Sequence, residues 1–329
     1  MKILYISDRR DGGILRHVKC LRECLPPEVS TFEIGLGGNE EFAGKSGHDL
    51  KEVWQIRRVI KEFKPDIVHF HIPALLMAVY VRFFTKIPMV RSWHTPTVGK
   101  EGLKDKVMRW LLDRDCYYLP VSGATWTGLK RWASGIKGEV FYNPVRIGSS
   151  SRLEMENGGV RHASHSLGHR FVVGMVGRNA DQKDWPSFHK VEAMVKAKMP
   201  EVEFVNGGEI KPCDGLKEIG RMDAFVMTSK HEELPTTLLE CFSLGTATCG
   251  FVPVGGVADI LQYSRGPLRN VFIEDRDILR LAEIVMSLLN DEAKRKAVVE
   301  DGWQILVNHF DAEKNCKGQL MGIYRRVMK

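Results

Sequence analysis

Two glutamates, Glu232 and Glu240, stand eight positions apart in HEELPTTLLECFSLG, residues 231–245, directly after the apolar run AFVMTS. A carboxylate accepts several hydrogen bonds, so an acidic pair at the seam between a strand and a helix suits the vicinal hydroxyls of a sugar or a ribose. The free N–H groups of residues 234–237 suit phosphates lying between those hydroxyls. Thr237 followed three residues later by Glu240 also reads as a capping box, which alone would explain Glu240, with Gly245 as the helix stop. Capping leaves Glu232 unexplained. Glu233 stands beside it, and two adjacent acids repel unless they are solvated or bonded to a polar ligand.

Three further groups could serve such a ligand. Arg178 and Lys183 lie five apart in VGRNADQKDW, between a strand and a helix. Two cations beside a helix N-terminus fit a pyrophosphate. His94 follows a strand in RSWHTP, and His69 and His71 close the strand DIVHFH; a histidine at a strand end serves either as a ligand contact or as a satisfied structural group. Gly12 and Gly13 follow the first strand in SDRRDGGILRHV. They let a ligand approach a helix N-terminus closely. They do not complete a dinucleotide fingerprint, which leaves Glu33 a weak ribose acid and argues against a dehydrogenase.

The elements that must position these groups alternate. Strands such as KILYIS, VSTFEIGL, DIVHFH, PMVRSWH, CYYLPVS and EVFYNPV are interleaved with helical stretches such as GGILRHVKCLREC, LKEVWQIRRVIKEFKP and LKDKVMRWLLDRD. Near-continuous apolar strands predict parallel sheets covered on both faces, an α/β doubly wound class. The Ser-, Gly- and His-rich residues 151–169 interrupt the pattern as a linker or mobile loop, after which the alternation resumes. The prediction is an N-terminal domain over residues 1–150, joined by a C-terminal helix over 313–329, and a second domain over 170–312.

Composition narrows the class. Residues 1–150 carry 24 Lys and Arg against 16 Asp and Glu, and the remainder 24 against 25. The positive excess of the first half suits an anionic partner or solvated helix faces. No apolar run reaches a membrane span, and MKILYISD is too soon polar for a signal peptide. Seven cysteines without metal-like spacing predict reduced thiols in a cytoplasmic protein, and Cys20 with Cys24 is too few ligands for zinc.

These motifs together resemble the retaining glycosyltransferases of family 4. SKHEELPTTLLECFSLGTATCGFVPVGGVADIL is similar to that family's acidic-pair motif, two glutamates separated by seven residues and followed by a helix, a glycine and a downstream Gly-Gly. DGGILRHVKCL, DIVHFHIP, RSWHTP, PVSGATWTGL, VFYNPV, GMVGRNADQKDW and KEIGRMDAFVMTS match further segments in order. The resemblance implies a GT-B fold, two Rossmann-like domains facing across a cleft, with an acceptor-binding N-domain and a C-domain for a nucleotide-sugar donor. It implies that Arg178 and Lys183 neutralise the donor diphosphate and that Glu240 holds the ribose hydroxyls. Glu232 would bind the transferred sugar beside Glu233, Leu234, Pro235, Thr236 and Thr237, and His94 would face that sugar. It further implies transfer without a metal or other cofactor from a UDP- or GDP-type donor, by a same-face route.

The expected acceptor is a cell-surface polysaccharide, lipopolysaccharide or glycolipid, met by a cytoplasmic protein that sits peripherally at the inner face of a membrane through its basic N-domain. No nucleic acid is expected as a partner. A sugar-nucleotide epimerase or hydrolase, or a non-catalytic nucleotide-sugar-binding protein, are the alternatives. Three positions depart from the family pattern: Glu233 replaces a glycine, Cys241 an alanine, and Asp184 the glycine after the lysine.

Overall fold

The computed structural model describes residues 1–8, 13–36, 50–72, 74–94, 116–133, 135–148, 169–208 and 214–329. The chain divides into two compact units, Met1–Pro144 with Ala312–Lys329, and Val145–Asp311.

The first unit is built on β1 (Lys2–Asp8), β2 (Ser30–Leu36), β3 (Ile67–Phe70), β4 (Met89–Trp93), β5 (Cys116–Pro120) and β6 (Lys137–Gly138). All pairings are parallel, in the order β2-β1-β3-β4-β5-β6. Successive strand side chains point to opposite faces, and both faces are covered, so the strands carry no polar alternation. Leu4, Ile6, Val68 and Phe70 pack against Ile56, Met77, Val81 and Leu129 from the helices Leu50–Phe63, Leu75–Phe84 and Gly123–Trp132. On the other face, Ile3, Tyr5, Ile67, Val90 and Leu119 meet Val18 and Leu21 of the helix Gly13–Cys24. The C-terminal segment completes that face with Ala312, Cys316, Leu320, Ile323 and Tyr324. The buried Tyr324 hydroxyl fixes the segment in place, 3.0 Å from the Tyr5 hydroxyl and 2.7 Å from His69 Nδ1.

The second unit holds β7 (Val172–Met175), β8 (Glu203–Asn206), β9 (Ala224–Met227), β10 (His231–Glu232), β11 (Ala247–Phe251), β12 (Val254–Gly255) and β13 (Phe272–Ile273). Five of these form a parallel sheet in the order β13-β11-β9-β7-β8, while β10 and β12 pair separately. In both units the chain steps one strand outward, from β1 to β2 and from β7 to β8. It then crosses back, to β3 and to β9. At such a reversal neighbouring loops leave toward opposite faces, which opens a crevice at the carboxyl ends of the strands.

Two expectations are corrected. EVFYNPV is not a full strand: Glu139 and Phe141 donate to the Tyr118 and Pro120 carbonyls at 3.1 and 3.0 Å, but regular pairing stops at Gly138. Pro144 has no N–H with which to continue the ladder. The helix Glu292–Ile305 also has no counterpart in the sequence reading, although Asp291 caps it by accepting from the Lys294 amide at 2.9 Å. The segment LKDKVMRWLLDRD and residues 151–168 of the expected linker lie outside the described residues. Among the described residues, no helix is long and apolar enough to cross a membrane.

Candidate functional site

The second unit's reversal gathers the charged candidates. After β7 the chain passes Gly177 and the exposed Arg178 into a 3-10 turn, Asp181–Lys183. After β9 it runs through Thr228, Ser229 and Lys230 into β10. The two loops are tied together. The Thr228 hydroxyl donates toward the Lys183 and Asp184 carbonyls at 3.0 and 3.1 Å. The Lys230 amide reaches the Gln182 carbonyl at 2.8 Å, and Gln182 Nε2 reaches the His231 carbonyl at 2.7 Å.

The product of this tying is an ion pair: Lys183 Nζ donates to Glu232 Oε1 at 2.6 Å, with side chains only 15% and 8% exposed. A pair this far from water is costly to break from one side, because the survivor keeps its desolvation penalty. The Lys183 stem crosses Gly177, where an added Cβ would lie 2.9 Å from Lys183 Cε. Glu232 is held through its backbone as well. The Gly256 amide donates to its carbonyl at 2.7 Å, and Gly255, at φ 125°, lets the chain pass so close that a Cβ there would fall 1.8 Å from that oxygen. The downstream Gly-Gly therefore has a steric function: it seats the first acid.

Asp184 shows why a glycine is dispensable after the lysine. It takes the left-handed conformation, φ 54°, that glycine adopts most readily and aspartate tolerates. Its carboxylate accepts from Ser187 Oγ at 2.7 Å and from Arg276, whose guanidinium also donates to the Thr228 and Ser229 carbonyls at 2.8 and 3.0 Å. Burial pushes the Asp184 carboxyl up, but Ser187 and Arg276 outweigh it and hold the group below the ordinary carboxylate range. At Glu233 the balance goes the other way: burial, then the neighbouring Glu232 charge, raise its pKa against the opposing pull of its own backbone hydrogen bond, Lys183 and Arg178. Arg178, Lys183, Glu232 and Glu233 thus share one electrostatic neighbourhood.

The helix Thr236–Leu244 follows, ending at Gly245 in the left-handed conformation as the sequence predicts. The expected capping box is overturned. Pro235 is the cap, with no side-chain cap hydrogen bond, and its carbonyl accepts from the Leu238 and Leu239 amides at 3.0 and 3.4 Å. The proline ring fixes φ at −74° and starts the helix two residues earlier than a Thr237 cap would. Thr236 and Thr237 therefore sit in the first turn, whose amides have no intrahelical partner. Glu240 lies one turn further on, half-buried, and its charge adds to burial in raising the Cys241 thiol. Leu234 and Pro235 are buried.

The remaining candidates lie in the first unit. His71 and His94 follow β3 and β4, and the helix Gly13–Cys24 buries His17 against both, with ring centroids 5.3 and 5.2 Å away. Burial lowers all four imidazoles: His69 to about 3, His94 to about 4, and His17 and His71 well below the usual value. His69 is structural, held by Tyr324 and by Ser92 Oγ at 2.9 Å. Glu33 is occupied by Arg22 and the Ser7 hydroxyl, which accounts for that acid without a ribose. Gly13 opens its helix onto space, with nothing within 4 Å of an added Cβ, and Gly12 lies outside the described residues. Sequence reasoning missed His17 and Arg276. His17 was legible, since it shares the apolar face of Val18 and Leu21; Arg276 carried no local signal.

Two outcomes test this geometry. Gly255→Ala should cost about 1–3 kcal/mol in urea denaturation of the second unit, from backbone strain and the displaced Glu232 carbonyl; undiminished stability would mean that the carbonyl is not pinned there. The second concerns pH. Because folding lowers the Asp184 pKa, the unfolded chain takes up the extra proton as pH falls through about 4, and the stability present at neutral pH is lost there. Arg276→Leu should therefore be roughly 1–3 kcal/mol less stable than wild type at pH 7, with the gap narrowing below about pH 4. A gap independent of pH would separate Arg276 from the Asp184 charge.

Comparison with known proteins agrees with this arrangement. Residues 28–146 match the family model described as Glycosyltransferase Family 4, and residues 160–304 that of Glycosyl transferases group 1. No curated protein matches the chain. Among solved structures, HepE of Anabaena in complex with UDP-glucose is similar at 16% identity and TM-score 0.70, covering 99% of this chain and 100% of that one. A glycosyltransferase from Rickettsia africae gives 14% and 0.70, covering 100% and 98%. The UDP-forming α,α-trehalose-phosphate synthase from Burkholderia vietnamiensis gives 13% and 0.68, covering all of both chains. At these identities the structures establish a shared fold. With the two family models spanning most of the chain on two parallel-sheet α/β units, the protein is a glycosyltransferase of the GT-B type.

Proposed function

We propose that the chain transfers a sugar from a nucleotide-diphosphate sugar to a cell-surface glycan, lipopolysaccharide or glycolipid acceptor, with retention of anomeric configuration and without a metal ion. The observation that carries this reading is the Lys183–Glu232 pair beside a helix N-terminus that has no side-chain cap. Arg178, Lys183 and the amides of Thr236 and Thr237 are the groups assigned to the donor diphosphate, since cations and helix N-termini stabilise the charge that develops on the leaving group. Glu240, one turn into the helix, is assigned to the ribose hydroxyls, and Glu232 to hydroxyls of the transferred sugar. His94 is assigned to the sugar on the family resemblance. In a same-face transfer the bond from the anomeric carbon to the diphosphate oxygen breaks as the acceptor oxygen bonds to that carbon, and the acceptor proton passes to the departing diphosphate. Because HepE was solved with UDP-glucose, UDP donors are placed ahead of GDP donors.

The membrane reading draws support from the first unit. Trp54, Phe83 and Phe84 are 67%, 55% and 74% exposed on the helices Leu50–Phe63 and Leu75–Phe84. The exposed Lys51, Arg57, Arg58, Lys61 and Lys86 lie on or beside the same helices. Exposed aromatics among cations fit an anionic lipid surface, and that fit supports the reading of a cytoplasmic protein held peripherally at the inner face.

A thermal-shift screen against UDP, GDP, ADP and CMP, with and without magnesium, should give a metal-independent rise with one diphosphate. Lys183→Ala and Glu240→Ala should each reduce that rise. Lys183→Ala should also cut turnover by roughly 10²–10³-fold, while NMR of the product shows the donor's anomeric configuration. A melting curve of the Glu240→Ala protein without ligand separates a loss of stability from a loss of donor contacts. Wild-type affinity and rate in both variants would sink the site assignment. For the membrane, vesicles containing phosphatidylglycerol should pull the protein down at low salt and release it at high salt. Sedimentation no greater than with neutral vesicles would remove lipid as the partner of the basic helices.

A further inference from the structure

Asp184 and Arg276 take φ angles of 54° and 50°, and they are the two partners of one ion pair. Among the described residues four side chains other than glycine have positive φ, so half of these strained positions meet at a single contact. A positive φ crowds the Cβ of any residue but glycine, and it persists only where surrounding bonds over-determine it. Aspartate tolerates this region through local hydrogen bonds, whereas arginine has no such relief. The turn itself does not need the pair, because glycine at 184 would take the same conformation without strain.

The bonds around the pair converge on Lys183. Arg276 stands just before the helix Ile278–Asn290, which Asp277 caps by accepting from the Arg280 amide at 3.1 Å and which buries Leu281, Ala282, Val285 and Leu288. Its backbone is thereby anchored to the core. The guanidinium lies 4.6 Å from the Phe251 ring centroid, donates to the Thr228 and Ser229 carbonyls and meets the Asp184 carboxylate. The Thr228 hydroxyl lies 3.0 and 3.1 Å from the carbonyl oxygens of Lys183 and Asp184, and the Lys183 amide reaches the Ala180 carbonyl at 2.9 Å. Both backbone ends of Lys183 are held, and its stem lies across Gly177. Only the ammonium end is left to be shared between Glu232 and a ligand.

We propose that Asp184 and Arg276 are positioning residues for sugar transfer: the pair fixes the backbone of Lys183 so that its ammonium meets the donor diphosphate in one place. Their role rests on that of Lys183 as a diphosphate ligand in the donor site proposed above. Arginine suits the task because its planar fork reaches three oxygens of fixed geometry at once, which the point charge of a lysine does not. The alternative is a purely electrostatic role, in which Arg276 merely cancels an acid that would repel the diphosphate. The two roles differ in what removal of Asp184 does. Without its carboxylate the repulsion is gone, but so is the tether.

The test titrates the full chain, without magnesium, with UDP and with uridine (or GDP and guanosine, whichever base the thermal-shift screen selects), at a temperature where circular dichroism shows each variant folded. Arg276→Leu and Asp184→Gly should each weaken the diphosphate about tenfold, the order of one charge-assisted hydrogen bond. Binding of the nucleoside, which carries no phosphate, should stay nearly unchanged. In a Lys183→Ala background the same substitutions should weaken the diphosphate no further, because the pair acts through that ammonium. A merely structural role would weaken diphosphate and nucleoside together and would persist without Lys183, which overturns the proposal. Tighter diphosphate binding by Asp184→Gly would mean that charge alone counts, and overturns it too. Should Arg276→Leu fail to fold, Asp184→Gly decides, since glycine adopts this turn freely. Wild-type affinity in both variants, while Lys183→Ala weakens the diphosphate, removes the positioning role and leaves the donor site standing. A wild type that binds no diphosphate, or a Lys183→Ala chain that binds it unchanged, removes the donor assignment itself and the positioning role with it.

Discussion

The second unit depends on the way Glu232 is held. Its carbonyl receives the Gly256 amide at 2.7 Å, and its carboxylate receives the Lys183 ammonium at 2.6 Å. One residue therefore joins three loops, those after β7, β9 and β11. A carboxylate this buried is tolerated only with a partner, and an ammonium this buried only with a counter-charge. Each makes the other possible, and together they fix a cation beside the first turn of the helix Thr236–Leu244. Both the motif glycines and the Thr228 and Arg276 hydrogen bonds serve that same placement.

The departures from the family pattern then become readable. A glycine after the lysine would take the left-handed conformation freely. Asp184 takes it at some conformational cost and uses its carboxylate to bind Arg276 and Ser187. The turn is thereby tied by an ion pair to Arg276 after β13, and through it to the Thr228 and Ser229 carbonyls after β9, where a glycine would leave only backbone. Glu233 has a different effect. Its pKa is raised by burial and by Glu232, so its charge is costlier to hold there than on an open surface.

Much of this was legible in the sequence, and the misses have physical causes. KILYIS and DIVHFH read as buried parallel strands because both sheet faces are covered, which forces continuous apolar runs. HEELPTTLLECFSLG read correctly as a strand-to-helix seam ending at Gly245. Its cap did not, because Thr237-x-x-Glu240 has the spacing of a capping box while Pro235, which carries no side-chain acceptor, starts the helix two residues earlier. VFYNPV has a strand's composition but runs past the ladder into Pro144. Arg276 lies 92 residues from Asp184, and no local pattern encodes a contact of that span.

The two units share one topology and use it for opposite chemistry. Both reverse direction after their first pair of strands, so both present strand ends to a crevice. In the second unit short loops return charged side chains to that point. In the first, a helix packs its apolar face there and brings His17 down with Val18 and Leu21. Burial then selects the neutral form of every histidine it encloses, so the position becomes a source of lone pairs. The first half's positive excess lies elsewhere, on exposed helix surfaces such as that carrying Lys51, Arg57, Arg58 and Lys61. Net charge thus describes this unit's outer surface, while the buried imidazoles at its strand ends add nothing to that charge.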